Sequence, residues 1–349
     1  RPPASGHLAI DPATRASLEI DRAMNGARDG SLLATVDRTV TAPGARLLAS
    51  HLSRPSLDRS EIKSRLEAVA WLVADTDVLE ALRSRLKAAP DLERARTRLR
   101  LGRGGPRDLQ AIGRALSAGD AAARELAAIE GGVPARLEAA INVLLLANTP
   151  DLQIFASNLA QALNDSLPML ARDGGFIAPG WDSALDDARG LRDDSRRIIA
   201  ELQARYASET GISALKIKFN NVLGYFIDVP ARHGDALMAP PLSETFIHRQ
   251  TLAGNVRFST RELSDLAGRI SRAEEEAKAR EGELFNGFCA GVDALNETLA
   301  TAAGAIADLD VAGANAAWAI ESDAVRPDLA DTPVFEAKGL RHPVVEAAL

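Results

Sequence analysis

KFNNVLGYFIDVPARHG, Lys218 to Gly234, stands apart from the chain around it. Most of the 349 residues are Ala, Leu, Arg, Asp and Glu at helical spacing. Here β-branched and aromatic residues crowd together around two adjacent asparagines. Leu215, Ile217 and Phe219 alternate with polar residues, the pattern of a half-buried strand. Asn220-Asn221 tolerates the positive φ of a turn. Tyr225, Phe226, Ile227 and Val229 favour a second strand, which Pro230 and His233-Gly234 close. Pro240-Pro241 excludes helix and central strand. ETFIHRQTL and NVRFST then read as two further short strands. A small antiparallel sheet is expected from about Glu209 to Arg261.

Working outward, the sheet is flanked by two long helical segments. The first runs from about Asp182 to Ser208, with Leu185, Ala188, Leu191, Ile198, Leu202 and Tyr206 on one stripe. The second opens at Ser259, which forms a capping box with Glu262. Leu263, Leu266, Ile270, Ala273 and Ala277 follow at spacings of 3 and 4, and the helix is expected to continue to about Leu299. At 1.5 Å per residue the two span roughly 40 and 60 Å. RAEEEAKAREGE inside the second is a solvated face. Two long helices around one insert predict an antiparallel pair with a sheet at its tip.

The rest is helical as well. Asp58 and Glu61 have capping-box spacing, and Ile62, Leu66, Val69 and Val73 then share one helix face. Pro90 ends that region, and RLGRGGP, Arg100 to Pro106, is a loop. A helix from about Leu109 to Ile129 stops at Gly131-Gly132, and DGGFIAPG, Asp173 to Gly180, is a further break. The fold class is mainly α: a helical core with long antiparallel helices carrying a small antiparallel β insert.

Composition bounds the function. The 46% of hydrophobic residues supports folded structure, and 4% aromatics suits a helical chain. The length favours two or more domains. Cys289 is the only cysteine, so no intrachain disulfide forms and a reducing compartment is expected. No apolar run is long enough for a membrane span. RPPASGHLAI lacks the features of a secretory signal and reads as a chain entered partway. No GxxxxGK[ST] loop, no GxGxxG after a strand and no GxSxG elbow occurs. The five histidines are dispersed without metal-ligand spacing. Asp186-Asp187 and Asp193-Asp194 read as solvated helix faces, and Cys289 as a buried small hydrophobe.

Charge singles out the sheet. Residues 214–261 hold six basic residues (Lys216, Lys218, Arg232, Arg249, Arg257, Arg261) and three acids (Asp228, Asp235, Glu244). The insert is therefore +3, and the remainder of a chain of net charge −7 is −10. Asn220, Asn221, Gln250, Thr251 and Asn255 add hydrogen-bond donors. This mixture suits phosphate oxygens, which ask for charge and donors but no base code. It equally suits an exposed sheet whose edges are guarded by Lys and Arg.

The order of parts resembles the middle of the MutS family of bacterial DNA mismatch-repair proteins. SLLATVDRTVTAPGARLLASHLSRP, Ser31 to Pro55, is similar to the opening of that family's core domain. LGRGGPRDL, Leu101 to Leu109, is similar to a core loop. NNVLGYFIDV and HRQTLAGNVRFSTREL resemble its clamp, and RHPVVE, Arg341 to Glu346, the start of its ATPase domain. The resemblance implies a helical core domain over 1–130 and core plus ascending lever helix over 131–208. A β-rich DNA clamp would cover 209–268, a descending lever helix 269–320, and the start of the ATPase domain 321–349.

The implied function is to embrace duplex DNA through backbone contacts without sequence specificity, and to couple the clamp to the ATPase domain. Arg249, Gln250, Thr251, Asn255 and Arg257 stand where the family pattern RRQTLKNAER has its polar, DNA-facing residues. His248 replaces an arginine and Ala253 a lysine, which shifts expected contacts toward Lys216 and Lys218. The expected DNA-binding set is Lys216, Lys218, His248, Arg249, Thr251, Asn255 and Arg257. No catalytic residue, metal or cofactor is expected in this chain; ATP and Mg belong to the parent protein, a DNA-dependent ATPase. The resemblance further implies a homodimer, a MutL-type repair partner, a sliding clamp, no membrane, and a cytoplasmic, nucleoid-associated location. Two alternatives stay open: a MutS-type paralogue outside mismatch repair, and a coiled-coil protein-binding scaffold with a basic tip.

Overall fold

The computed structural model of the chain describes residues 6–220 and 222–348, without the side chains of residues 191–193, 195, 196 and 348. Expectations resting on residues 1–5, Leu191, Asp193 and Asn221 lie outside the described residues. In chain order the helices are α1 (Pro12–Ser17), α2 (Leu32–Val36), α3 (Ala42–Ser53), α4 (Arg59–Ala74), α5 (Thr76–Lys87), α6 (Leu92–Arg100), α7 (Pro106–Ala127), α8 (Ala135–Leu144), α9 (Pro150–Ala162), α10 (Ser183–Thr210), α11 (Gly234–Met238), α12 (Arg261–Ala294), α13 (Asn296–Glu321) and α14 (Pro343–Ala348). The strands are β1 (Lys216–Asn220), β2 (Gly224–Pro230), β3 (Ile247–Thr251) and β4 (Asn255–Ser259). The fold is thus mainly α with one small antiparallel sheet, as the sequence predicts. Two compact units divide the chain: Arg1–Leu163 with Gly287–Leu349, and Asn164–Asn286.

The first unit is built around α13, which packs against α3, α4, α5, α6, α7 and α8. Its sequence is rich in Ala and Gly and is buried on several faces. Small side chains let many neighbours approach one axis, so a helix that is apolar all round becomes central. Among the described residues, one carboxyl group sits in that core. Asp310 of α13 is fully buried and accepts from the Val40 N–H (3.0 Å), the Thr41 N–H (2.8 Å) and the Thr41 hydroxyl (2.5 Å). It thereby secures Thr41, the N-cap of α3, whose hydroxyl receives the Gly44 N–H. Loss of water pushes the Asp310 carboxyl above the ordinary carboxylate range.

The second unit holds α10, the sheet, α11 and the greater part of α12. Asp182 caps α10 by accepting from the Leu185 N–H, and Gly211, at φ +68°, ends it in the left-handed region that favours glycine. Leu185, Ala188, Leu202 and Tyr206 are buried along α10, with Ile198 half-buried. Leu263, Leu266, Ile270, Ala273 and Ala277 are all buried along α12, as their spacing predicts. The helices run antiparallel, because the start of α10 meets the late part of α12 and the end of α10 meets its start. At one end Arg280 grips Asp182 through two nitrogens (3.0 and 2.7 Å), and Arg189 pairs with the buried Glu281 (2.5 Å). Glu281 also accepts from the Gly175 N–H at 2.6 Å, tying DGGFIAPG to the same place. At the other end the Tyr206 hydroxyl meets Thr260 Oγ1 at 2.7 Å, and Arg205 pairs with Glu262.

Four expectations need correction. The buried residues of α4 are Ala68 and Leu72, whereas Ile62, Leu66 and Val69 are half-buried and Val73 is exposed. Ala68 and Leu72, four residues apart, form the buried stripe of the helix, and the larger expected residues flank it. The cap of α12 is Thr260, whose Oγ1 accepts from the Leu263 N–H at 3.0 Å; Ser259 instead ends β4 and bonds Ser264. The helix stops at Ala294 rather than near Leu299, with a single irregular residue, Leu295, before α13. Cys289 is half-buried, not fully, and its desolvation pushes the thiol up to about 11. Among the described residues, no helix is long and apolar enough to cross a membrane.

Candidate nucleic-acid interface

The sheet is antiparallel throughout, in the order β1-β2-β4-β3. β2 and β4 are central, so β1 and β3 are edges. Asn220 shapes the β1–β2 turn: its Oδ1 accepts from the Val222 and Leu223 N–H groups, and Gly224 follows at φ +68°. One face packs on the helices. Ile227 and Val229 of β2 and Val256 and Phe258 of β4 join Leu202, Tyr206, Phe246 and Leu263 in a single apolar cluster. The sequence expects Phe219 to be half-buried, but it is 60% exposed. Its edge strand extends past the helical support, and its ring rests on Tyr225 at 5.1 Å instead.

Register defines the opposite face. Lys216 lies opposite Asp228, Asp228 opposite Arg257, and Arg257 opposite Gln250, one row across all four strands. Cross-strand partners share a face. Lys218 opposite Phe226 belongs to the same face, two residues along β1. The outer face is therefore basic and polar around one carboxylate. Asp228 is 5% exposed, and its Oδ2 accepts from Lys218 Nζ at 2.7 Å and from Asn255 Nδ2 at 2.8 Å. Arg257 Nε lies 3.8 Å from Asp228 Oδ1, and neither atom has a hydrogen bond. The Arg257 guanidinium stacks over Phe226, 4.5 Å from the ring centroid, and donates to Gln250 Oε1 at 2.9 Å.

The seven residues singled out in the sequence thus fall into distinct environments. Lys218, Asn255 and Arg257 converge on Asp228. Lys216 shares their face and is exposed. His248 and Thr251 bond each other (2.9 Å) on exposed β3, opposite Phe258 and Val256, and so belong to the other side of the sheet. Arg249 occupies the irregularity where the β3–β4 register shifts between His248 and Gln250. That extra residue turns it toward a cavity of about 310 Å³ lined by Val222, Leu223, Tyr225, Phe226 and Ser259. Asp228 and Phe226 are the residues that sequence reasoning missed as site members. Their signal was available: in a hairpin turning at 220–224, Lys216 and Asp228 fall opposite each other.

Comparison with known proteins now bears on this sheet and its helices. The family model described as MutS domain III matches residues 13–316, which takes in all four strands and both long helices. The chain belongs to the MutS domain III family. Among similar MutS proteins, the DNA mismatch repair protein MutS of Rhodopseudomonas palustris (strain BisB5) is 50% identical over 349 residues, covering 100% of this chain and 37% of that protein. The DNA mismatch repair protein MutS of Caulobacter sp. (strain K31) is 51% identical, over 98% of this chain and 38% of its own length. That of Nitrobacter winogradskyi is 48% identical, over 98% of this chain and 38% of its own length. The chain thus spans less than two fifths of the MutS relatives it matches.

Proposed function

We propose that the sheet unit holds duplex DNA by its phosphate backbone, as the clamp of a DNA mismatch-repair protein. The outer face carries the argument. Lys216, Lys218 and Arg257 stand on one sheet face with amide donors between them, and Arg249 lies beside it, on a chain that is otherwise acidic. Phosphate oxygens are the ligand such a face suits, because they accept from any donor and reward positive charge irrespective of sequence. The acidic remainder repels DNA and leaves this face as its favoured contact.

In this proposal residues 1–130 and 131–208 contribute the core and the ascending lever, 209–268 the clamp, 269–320 the descending lever and 321–349 the start of an ATPase domain. The antiparallel α10 and α12, tied at both ends by ion pairs and by Tyr206, suit rigid-body transmission to the clamp. ATP and magnesium are assigned to the parent protein outside this chain, in keeping with the lack of a GxxxxGK[ST] loop in its sequence. A homodimer that encircles DNA, a MutL-type partner, a sliding clamp and a cytoplasmic, nucleoid-associated location complete the proposal.

The test is the variant Lys216→Ala/Arg249→Ala of the full-length protein, titrated with homoduplex DNA over a salt series. Among the described residues neither cation holds an ion pair, so folding is spared. With about three or four phosphates neutralised per clamp, log K falls against log[salt] with a slope of roughly −3 to −4, and removing two contacts flattens it by about 1.8. Affinity and slope equal to wild type would refute the assignment.

A further inference from the structure

We infer that Asp228 is an internal competitor for phosphate, which occupies the clamp's own cations and limits its grip. The inference rests on the clamp proposal and concerns the same face. A carboxylate that accepts from a lysine and an amide presents the donors with what a phosphate oxygen would present. Asp228 Oδ2 does this with Lys218 Nζ and Asn255 Nδ2. The two partners differ in freedom. The Asp228 side chain is 6% exposed and fixed in a central strand, whereas that of Lys218 is 53% exposed on an edge strand. Lys218 can therefore swing out to a phosphate, and Asp228 cannot follow it.

The second cation is held incompletely. Asp228 Oδ1 and Arg257 Nε are buried, face each other at 3.8 Å and lack hydrogen bonds. Arg257 keeps its place through Phe226 and Gln250 instead. A shift of this guanidinium toward a ligand therefore breaks no hydrogen bond to Asp228. Two of the three cations on the face thus share one internal carboxylate. DNA must displace the carboxylate from Lys218 before that lysine counts as a phosphate contact. The consequence is a clamp tuned for a weak, reversible hold, with Lys216 and Arg249 as its immediately available charges.

Asp228→Asn keeps the size of the side chain and removes the charge. Measured on the full-length protein with homoduplex DNA at fixed salt, it should tighten binding by about three- to tenfold, the size of one unit-charge interaction at about 4 Å with the screening of bulk water. The salt slope should steepen by about 0.9 as Lys218 becomes a phosphate contact. The double variant Asp228→Asn/Lys218→Ala exchanges a neutral pair for a neutral pair and should bind within about twofold of wild type. It also serves where the single variant fails to fold, since it keeps the net charge of the face as in wild type and Arg257 is still held by Phe226 and Gln250. Unchanged or weaker binding by Asp228→Asn, or a double variant weakened as if a phosphate contact were lost, overturns the inference. Failure of the clamp proposal itself shows separately, as an unchanged salt slope in Lys216→Ala/Arg249→Ala.

Discussion

Gly44→Ala probes the way the first unit is assembled. A Cβ at Gly44 would lie 2.1 Å from Asp310 Oδ2, 2.6 Å from its Cγ and 2.8 Å from its Cβ. An ordinary C···O separation is about 3.3 Å or more, so over an ångström must be found. Asp310 cannot supply it cheaply. It is fully buried and held by the Val40 and Thr41 N–H groups and the Thr41 hydroxyl. Either α3 retreats from α13 or the carboxylate turns away, and both routes strain or break hydrogen bonds to a charged group, worth about 1.5–3 kcal/mol each. The expected cost is about 3–5 kcal/mol, above the usual range for adding one methylene to a core. Urea unfolding followed by far-UV circular dichroism measures it, and hydrogen exchange at the amides of α3 locates it. Gly304→Ala is the control: nothing lies within 4 Å of its Cβ position in α13, so it should gain about 0.5–1 kcal/mol from helix propensity. In an Asp310→Ala background Gly44→Ala should cost less, because the carboxyl group is gone and only the Cβ contact at 2.8 Å remains. A loss below about 1 kcal/mol in the wild-type background would refute the reasoning.

Two other perturbations test the two units. Burial, with Arg65 next and Arg136 also contributing, pushes His51 down to about 4, against the pull of Asp308 and Glu61. Because the folded value lies below the ordinary 6.5, its stabilising contribution is complete above pH 6.5 and is lost as pH falls through about 4. His51→Gln should flatten the pH dependence of thermal unfolding there by about 1–2 kcal/mol, allowing for the partial exposure of the ring. In the second unit, Thr260→Ala removes both the cap of α12 and the nearer of two partners of the Tyr206 hydroxyl, leaving Glu262, and should cost about 1–2 kcal/mol in denaturant unfolding. Ser259→Ala should cost less, and the reverse order would contradict the observed cap.

What the sequence determined by itself was periodic or local. The alternation leading into β1, the β-branched and aromatic residues of β2, the 3–4 spacing of Leu263, Leu266, Ile270, Ala273 and Ala277, the glycine breaks and the four-strand insert all follow from side-chain repeat, propensity and turn chemistry. They needed no knowledge of neighbours. The charge contrast that marks the insert was legible for the same reason, since it is a count along the chain. What failed depended on something far away. Which residues of α4 turn inward is decided by the helices packed on it, α13, α5 and α8. Spacing to Glu262 points to Ser259 as the cap of α12, and only the end of β4 and the position of Tyr206 move that role to Thr260. The sheet's outer face was the largest gap. Lys218, Arg257 and Asn255 read as free donors along the chain, and only register places them around Asp228. Residues 10 to 40 apart in sequence become neighbours through strand pairing, and a carboxylate buried among them changes what those cations have available to give.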